Sequence, residues 1–154
     1  VGFSPVEISI WNAGEDEFKK IVKKYELLDI CELIPKASRD DMSEYYHKAD
    51  VFVMTSIQEG FPVSSLEATS CGLPVYATRC GGVEDFIDDE NGRIVNIQDY
   101  EKMADNLKDL LEGRVSYDAN LIRKKTIEKY GKEAFLNKMT VIFNRVIDEY
   151  NEKR

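Results

Sequence analysis

Two carboxylates frame the part of this sequence that is best suited to binding an anionic ligand. Glu59 and Glu67 are separated by seven residues, and the residue pattern predicts that a short helix begins between them. The first turn of a helix presents free backbone N–H groups and the positive end of the helix dipole. Such a terminus stabilises a phosphate without any Lys or Arg. The spacing therefore indicates a phosphate-compatible site with acidic side chains beside it.

The elements around these carboxylates follow the pattern of a parallel crossover unit. Residues 51–55 form an apolar run that predicts a buried strand, and residues 75–77 predict a second one. Between them lies a segment with a Ser start signal and Gly72 as a stop signal, which predicts a helix. Strand, helix and strand in this order are typical of an α/β parallel sheet. In such sheets ligands bind beyond the carboxyl ends of the strands, where Glu59 is placed.

The whole run resembles the donor-binding motif of the family 4 glycosyltransferases. A bare pair of Glu residues at this spacing is common by chance, so the resemblance depends on the longer pattern. It extends less sharply over residues 7–95. The matching segments are Glu59-Gly60-Phe61-Pro62, Leu66-Glu67-Ala68, Gly72-Leu73-Pro74-Val75, Thr78 and Gly81-Gly82.

This resemblance implies a fold and a domain organisation. It implies a Rossmann-like parallel sheet flanked by helices, the second domain of a GT-B architecture. Residues 1–154 would form a single, partial nucleotide-sugar-binding domain, and the N-terminal acceptor domain would be absent. The start of that domain, a strand that in the family is followed by an Arg and a Lys that bind the donor diphosphate, would be absent as well.

The resemblance also implies an activity and a set of site residues. The activity is transfer of a sugar from a nucleotide diphosphate-sugar, with retention of configuration and without a metal ion or other cofactor. Glu59 takes the catalytic position, where the family's first Glu contacts hydroxyls of the donor sugar, while Glu67 corresponds to the Glu that binds the ribose. The remaining implied donor-binding residues are Gly60, Phe61, Pro62, Val63, Ser64, Gly14 and Pro35.

Several of these residues have an alternative, structural interpretation. Ser64 and Glu67 also fit a capping box, in which Glu67 would bond the amide of the N-cap residue instead of a ribose. Gly14 also fits an ordinary turn glycine. Pro35 stands where the family usually has Gly, and it lacks the N–H that could meet a nucleotide base.

The loop after residues 75–77 departs from the family in part. Gly81 and Gly82 allow positive φ and the close approach of a ligand, or a plain turn. Asp85 replaces the usual Glu. Arg79 stands where Asp or Asn is common, and it faces either a phosphate or solvent.

Composition narrows the class of partner and the compartment. The formal net charge of −8 argues against a nucleic-acid-binding surface, which needs a basic patch. Three cysteines without a C-x-x-C pair, and the single histidine, His47, do not predict a zinc site. No apolar run has the ~20 residues of a membrane span, and no leader-like segment precedes the domain. We therefore expect a cytoplasmic protein, and peripheral membrane association of the full enzyme stays open.

The remaining elements are predicted from periodicity and capping signals. We expect strands at residues 5–11, 30–34 and 93–95, and helices at residues 15–25, 39–48, 100–112, 119–130 and 133–150. Ser38 and Asp99 are predicted N-caps. An apolar stripe on the last helix is interpreted as core or as a domain-docking surface.

Two other functions fit part of the same pattern. One is a degenerate, non-catalytic binding or scaffold module, which the substitutions at Pro35 and Asp85 favour. The other is a nucleotide-sugar epimerase of the same fold, which would release an altered sugar without an acceptor. A dinucleotide dehydrogenase fits poorly, because no G-x-G-x-x-G follows the first predicted strand.

Overall fold

The computed structural model describes residues 15–31 and 38–153. The chain divides into two compact units, Val1–Tyr45 and Tyr46–Arg154, and each is described by itself. Gly14, Pro35 and the predicted strand at residues 5–11 lie outside the described residues, as do residues 32–34.

Along the described chain, two helices precede the three parallel strands, one helix lies between the first two strands, and three helices follow the last strand. The helices are α1 (Glu15–Lys24), α2 (Arg39–Lys48), α3 (Val63–Ser70), α4 (Tyr100–Leu111), α5 (Ala119–Tyr130) and α6 (Lys132–Glu152). The strands are β1 (Phe52–Met54), β2 (Val75–Thr78) and β3 (Gly92–Val95), and a 3-10 turn spans Val83–Asp85. Each of the five predicted helices outside the motif is confirmed, with ends that differ by at most two residues from the pattern.

In the first unit, the strand that the sequence predicts at residues 30–34 does not begin at Ile30. The amides of Ile30 and Cys31 donate to the carbonyl of Leu27, at 3.1 and 2.9 Å, and residues 32–34 lie outside the described residues. Local hydrogen bonds that follow the end of α1 use the donors that a strand would need for its ladder. A short apolar run does not by itself distinguish these two outcomes.

The start of α2 has the predicted cap. The Ser38 hydroxyl donates to Oδ2 of Asp41 at 2.6 Å, and the Asp41 amide donates back to Oγ of Ser38 at 3.2 Å. This is a capping box with Asp in place of Glu. The hydrogen bonds from Ser38 lower the pKa of the Asp41 carboxyl below its ordinary value.

The second unit is built on a three-stranded parallel sheet in the order β1-β2-β3. Phe52 pairs with Val75, and Val75 pairs with Gly92. β2 is buried along its whole length, as expected for the central strand of a parallel sheet covered on both faces. On one face the buried core is formed by Tyr76, Val95 and Met103 of α4.

On the sheet, α3 fits closely and ends as predicted. Ala68 and Thr69 are fully buried, which small side chains permit. After the last turn Gly72 has φ +86°, and the Leu73 amide donates to the Ala68 carbonyl at 3.0 Å. The helix thus ends in a Schellman motif. A Cβ built on Gly72 would lie 2.6 Å from the carbonyl oxygen of Ala119, so the turn also lets α5 approach.

α5 supports α3 from the outside. Ile122 is 1% exposed, and Nη1 of Arg123 donates to the Ser70 carbonyl at 2.9 Å. The hydrogen bond from Arg123 and the close approach of Ala119 to Gly72 hold α5 against the carboxyl end of α3.

The apolar stripe of α6 does not belong to the core, which was one of its two interpretations. The helix has no buried residue in the described structure, and Phe135, Phe143 and Val146 are more than half exposed. The stripe is therefore not part of the core of this unit, and the docking-surface interpretation stays a prediction. Among the helices described, none is both long and apolar enough to cross a bilayer.

Candidate functional site

The loops that follow β1 and β2 are joined to each other at the carboxyl edge of the sheet. The Thr78 hydroxyl at the end of β2 donates to the Ser56 carbonyl at 2.5 Å. The Glu59 amide donates to the Cys80 carbonyl at 2.7 Å. Residues 55–62 and 79–82, called here the two carboxyl-edge loops, therefore form one hydrogen-bonded platform where ligands bind in open α/β sheets.

Gly81 and Gly82 make this junction possible. Their φ angles are +90° and +76°, in the positive range that glycine allows. A Cβ on Gly81 would lie 2.8 Å from the carbonyl oxygen of Glu59, and one on Gly82 would lie 2.6 Å from that of Gly60. Among the described residues, it is therefore the backbone of the neighbouring loop that leaves no room for a side chain at these two positions.

Glu59 is held in place by a residue that the sequence reasoning missed. The Ser56 hydroxyl donates to Oε1 of Glu59 at 2.7 Å, and both side chains are half-buried. The Glu59 amide is also hydrogen-bonded to the second loop. Glu59 is therefore held through both its backbone and its side chain. A serine three residues before a loop carboxylate was the signal that could have identified this pair.

The amino end of α3 is open. Pro62 is the N-cap, with φ −77° and ψ 90°, and no side chain caps the helix. Hydrogen bonding begins at Ser65, whose amide donates to the Pro62 carbonyl at 3.1 Å. Val63 is 53% exposed and Ser64 is also exposed, and among the described residues no group accepts from their amides. These two N–H groups are the ones expected at an anion site.

Glu67 does not form the capping box that its spacing allowed. The N-cap is Pro62, so Ser64 lies inside α3 and the capping interpretation is wrong. Instead the Tyr46 hydroxyl lies 3.4 Å from Oε2 of Glu67. Burial raises the pKa of Tyr46 above its ordinary value, and the negative charge of Glu67 adds to the shift. The hydroxyl therefore stays protonated and donates to the carboxylate.

Phe61 fastens the first carboxyl-edge loop to the body of the unit. Its ring centroid lies 5.8 Å from that of Phe86 and 6.2 Å from that of Tyr130 on α5. Rings at these separations attract beyond their buried area. Phe61 is half-exposed, so one part of the ring anchors the loop and the other faces solvent.

Cys80 lies in the second carboxyl-edge loop but is unsuited to act as a nucleophile. Burial raises the pKa of its thiol above the ordinary value, and the carboxylates of Glu84 and Glu59 act in the same direction. The reactive form of cysteine is the thiolate, which this environment disfavours. Within residues 15–31 and 38–153, no three side chains of the His, Cys, Asp and Glu types converge as a metal-binding group.

The sequence model of the glycosyl transferases group 1 matches residues 10–134, which is most of the chain. The chain belongs to the group 1 glycosyl transferase family. The match includes both carboxyl-edge loops and all of α3, so the resemblance predicted from the Glu59–Gly82 run is confirmed.

Known glycosyltransferases resemble the chain in sequence. A D-inositol 3-phosphate glycosyltransferase of Pseudarthrobacter chlorophenolicus is 38% identical over 73 residues, which are 46% of this chain and 17% of that protein. The chain thus spans about a fifth of the length of such curated relatives.

Solved structures establish the fold. Sucrose-phosphate synthase from Thermosynechococcus elongatus superimposes with a TM-score of 0.77 at 24% identity, over 87% of this chain and 34% of that one. A variant of S. aureus TarM, solved with fondaparinux, alpha-GlcNAc-glycerol and UDP, gives 0.73 at 26% identity, over 90% and 28%. The second unit therefore has the Rossmann-like fold of a GT-B glycosyltransferase domain, as predicted.

Of the predicted site residues, the structure brings one group to the carboxyl edge of the sheet. Glu59 lies on the first loop, and Glu67 lies on the second turn of α3. Gly60, Phe61, Pro62, Val63 and Ser64 connect them. Gly14 and Pro35 lie outside the described residues, so their assignments stay predictions.

Proposed function

We propose that this chain is the donor-binding domain of a glycosyltransferase that uses a nucleotide diphosphate-sugar. Transfer proceeds with retention and without a metal ion, to an acceptor bound by a further domain. Membership of the group 1 family supports sugar transfer, and UDP in the complex of the TarM variant supports a nucleotide donor. The chain is a small part of its relatives' length, so acceptor binding belongs to the remainder.

One observation carries this proposal. Glu59, fixed by the Ser56 hydroxyl at 2.7 Å, stands one short loop before the unpartnered amides of Val63 and Ser64. A diphosphate at those amides accepts two charge-assisted hydrogen bonds and lies at the positive end of the α3 dipole. The sugar that it carries then meets a carboxylate whose orientation is already set.

Catalysis in this arrangement depends on positioning and on stabilising the leaving group. The amides at α3 stabilise the negative charge that develops on the leaving diphosphate. Glu59 accepts hydrogen bonds from hydroxyls of the donor sugar and fixes its anomeric carbon. Glu67 accepts hydrogen bonds from the ribose. No side chain of this unit is proposed as a nucleophile.

A calorimetric screen of UDP-, GDP- and ADP-sugars on the intact protein tests the proposal. We expect saturable binding of one class of donor. Glu59→Gln should lower the affinity for the intact donor roughly tenfold or more, which corresponds to losing hydrogen bonds to a charged group. The affinity for the nucleoside diphosphate should hardly change. Glu67→Ala should lower the affinity for both ligands.

The matched control is Glu101→Gln, an exposed carboxylate on α4 that should change neither affinity. Equal affinity of Glu59→Gln and the parent for the intact donor would contradict the role of Glu59. Absence of saturable binding by any nucleotide-sugar would favour the scaffold module. Release of an altered sugar without an acceptor would favour the epimerase.

A further inference from the structure

Tyr46 places a hydroxyl group beside the second carboxylate from a different element. It lies near the end of α2, is 6% exposed, and packs edge-on against Phe52 of β1 with ring centroids 5.8 Å apart. This packing fixes the ring. The hydroxyl then needs a hydrogen-bond partner, because buried tyrosine hydroxyls are normally hydrogen-bonded. That partner is Oε2 of Glu67, at 3.4 Å.

The contact is a weak one as it stands. A separation of 3.4 Å is long for an O–H···O hydrogen bond, whose usual range ends near 3.0 Å. Hydrogen bonds in binding sites often shorten when the ligand arrives. Glu67 itself is half-buried on α3, and among the described residues no other hydrogen bond to its carboxylate is found. Its orientation therefore depends on Tyr46.

We propose that Tyr46 is a positioning residue for donor recognition, which orients the Glu67 carboxylate to accept hydrogen bonds from the ribose hydroxyls of the nucleotide. This inference rests on the proposed function, and it adds a residue that the motif does not contain. The carboxylate keeps acceptor sites on both oxygens, because each carries two lone pairs. A carboxylate held before binding loses less rotamer freedom when the ribose arrives.

A purely structural role for Tyr46 predicts a different result. If the hydroxyl only satisfies its own burial, its removal would change stability and leave the recognition of ribose unaltered. If it orients Glu67, its removal would reduce the part of the binding affinity that depends on the ribose hydroxyls. Deoxynucleotides separate these two roles.

The test compares the intact parent protein with Tyr46→Phe, which keeps the ring and removes the hydroxyl. Binding of UDP, GDP and ADP is measured by calorimetry, and the tightest of the three is then compared with its 2′-deoxy and 3′-deoxy forms. We expect Tyr46→Phe to lower the affinity for that diphosphate three- to tenfold, the ratio expected for one lost hydrogen bond. The penalty for removing a ribose hydroxyl should become smaller in the variant than in the parent.

The matched control is Tyr117→Phe. Its hydroxyl lies 3.3 Å from the carbonyl oxygen of Gly92, at the first residue of β3 and therefore at the opposite edge of the sheet. This variant should bind the diphosphate and its deoxy forms as the parent does, and melting curves show that both variants are folded.

Two outcomes would overturn the inference, and they differ in what else they overturn. If the parent binds a nucleoside diphosphate and Tyr46→Phe shows the same affinity and the same deoxy penalties, only the positioning role is wrong. If the parent binds none of the three diphosphates, the proposed function fails together with this role.

Discussion

Gly82 and Gly60 approach so closely that a side chain on Gly82 has no room. A Cβ on Gly82 would stand 2.6 Å from the Gly60 carbonyl oxygen, and the residue has φ +76°. Glycine therefore lets the second carboxyl-edge loop lie directly against the backbone of the first one. The position of Glu59, the residue before Gly60, depends on this junction as well as on its own loop.

We expect Gly82→Ala to destabilise the protein by about 2–3 kcal/mol, from left-handed strain and displacement of the first loop. Gly60→Ala is the matched control, because no atom lies within 4 Å of a Cβ built there. It should change the free energy of unfolding by less than about 0.5 kcal/mol. Urea denaturation of both variants measures the difference, and similar losses would contradict the crowding argument.

Ser56→Ala removes the hydrogen bond that fixes Oε1 of Glu59. The affinity for an intact nucleotide-sugar should fall roughly three- to tenfold, the ratio that corresponds to one hydrogen bond, while the affinity for the nucleoside diphosphate should hardly change. Calorimetry with both ligands gives the two ratios. Ser116→Ala, an exposed loop serine, serves as the control, and an equal loss for both ligands would argue against a sugar-specific role.

High pH should destabilise the protein through Tyr46. Burial and the Glu67 charge raise its pKa in the folded state above the value of about 10 in the unfolded chain. The stabilising difference is complete below pH ~10. Above that pH the unfolded chain releases the proton first, and stability falls by at most about 1.4 kcal/mol per pH unit.

Denaturation between pH 9 and pH 11.5 checks this expectation. Tyr46→Phe should show a shallower loss of stability with pH than the parent, and Tyr100→Phe, which removes an exposed tyrosine hydroxyl, should follow the parent. Parallel curves for the parent and Tyr46→Phe would show that Tyr46 titrates in the folded state as it does in the unfolded one.

Ile122 tests how much the packing of α5 contributes to the stability of the second unit. Ile122→Ala should cost about 2–5 kcal/mol, because the side chain is 1% exposed and its truncation leaves a buried cavity. Leu121→Ala, the adjacent residue at 37% exposure, should cost about 1 kcal/mol or less. Guanidinium denaturation distinguishes the two, and nearly equal losses would show that α5 packs through a different face.

Much of this protein could be predicted from short segments of its sequence. The strands, the helices, the Ser38 and Asp99 caps and the Gly72 helix end each depend on residues within one or two turns of each other. The cap at Asp99 is an example, because its side chain accepts from the amide of Lys102, three residues along. Local patterns of this kind are visible in a sequence. They were sufficient to predict that the Glu59–Gly82 run lies at the carboxyl edge of the sheet.

Errors arose where a local pattern fits more than one conformation. Ile30 begins an apolar run that suits a strand, yet its amide bonds within the turn after α1. Ser64 and Glu67 have the spacing of a capping box, yet the N-cap is Pro62, two residues before Ser64. The stripe on α6 has core-like periodicity, but periodicity identifies an apolar face without naming what covers it.

The sequence by itself determined which residue types stand at the carboxyl edge of the sheet: two carboxylates, the helix start between them, and the glycines that follow. Only the tertiary structure decided how those carboxylates are held, because Thr78 reaches Ser56 across 22 residues and Tyr46 reaches Glu67 across 21. Contacts at such separations form when strands and helices pack, and no periodicity along the chain encodes them. The residue types are thus a property of the sequence, and the orientation of the acidic groups is a property of the packed fold.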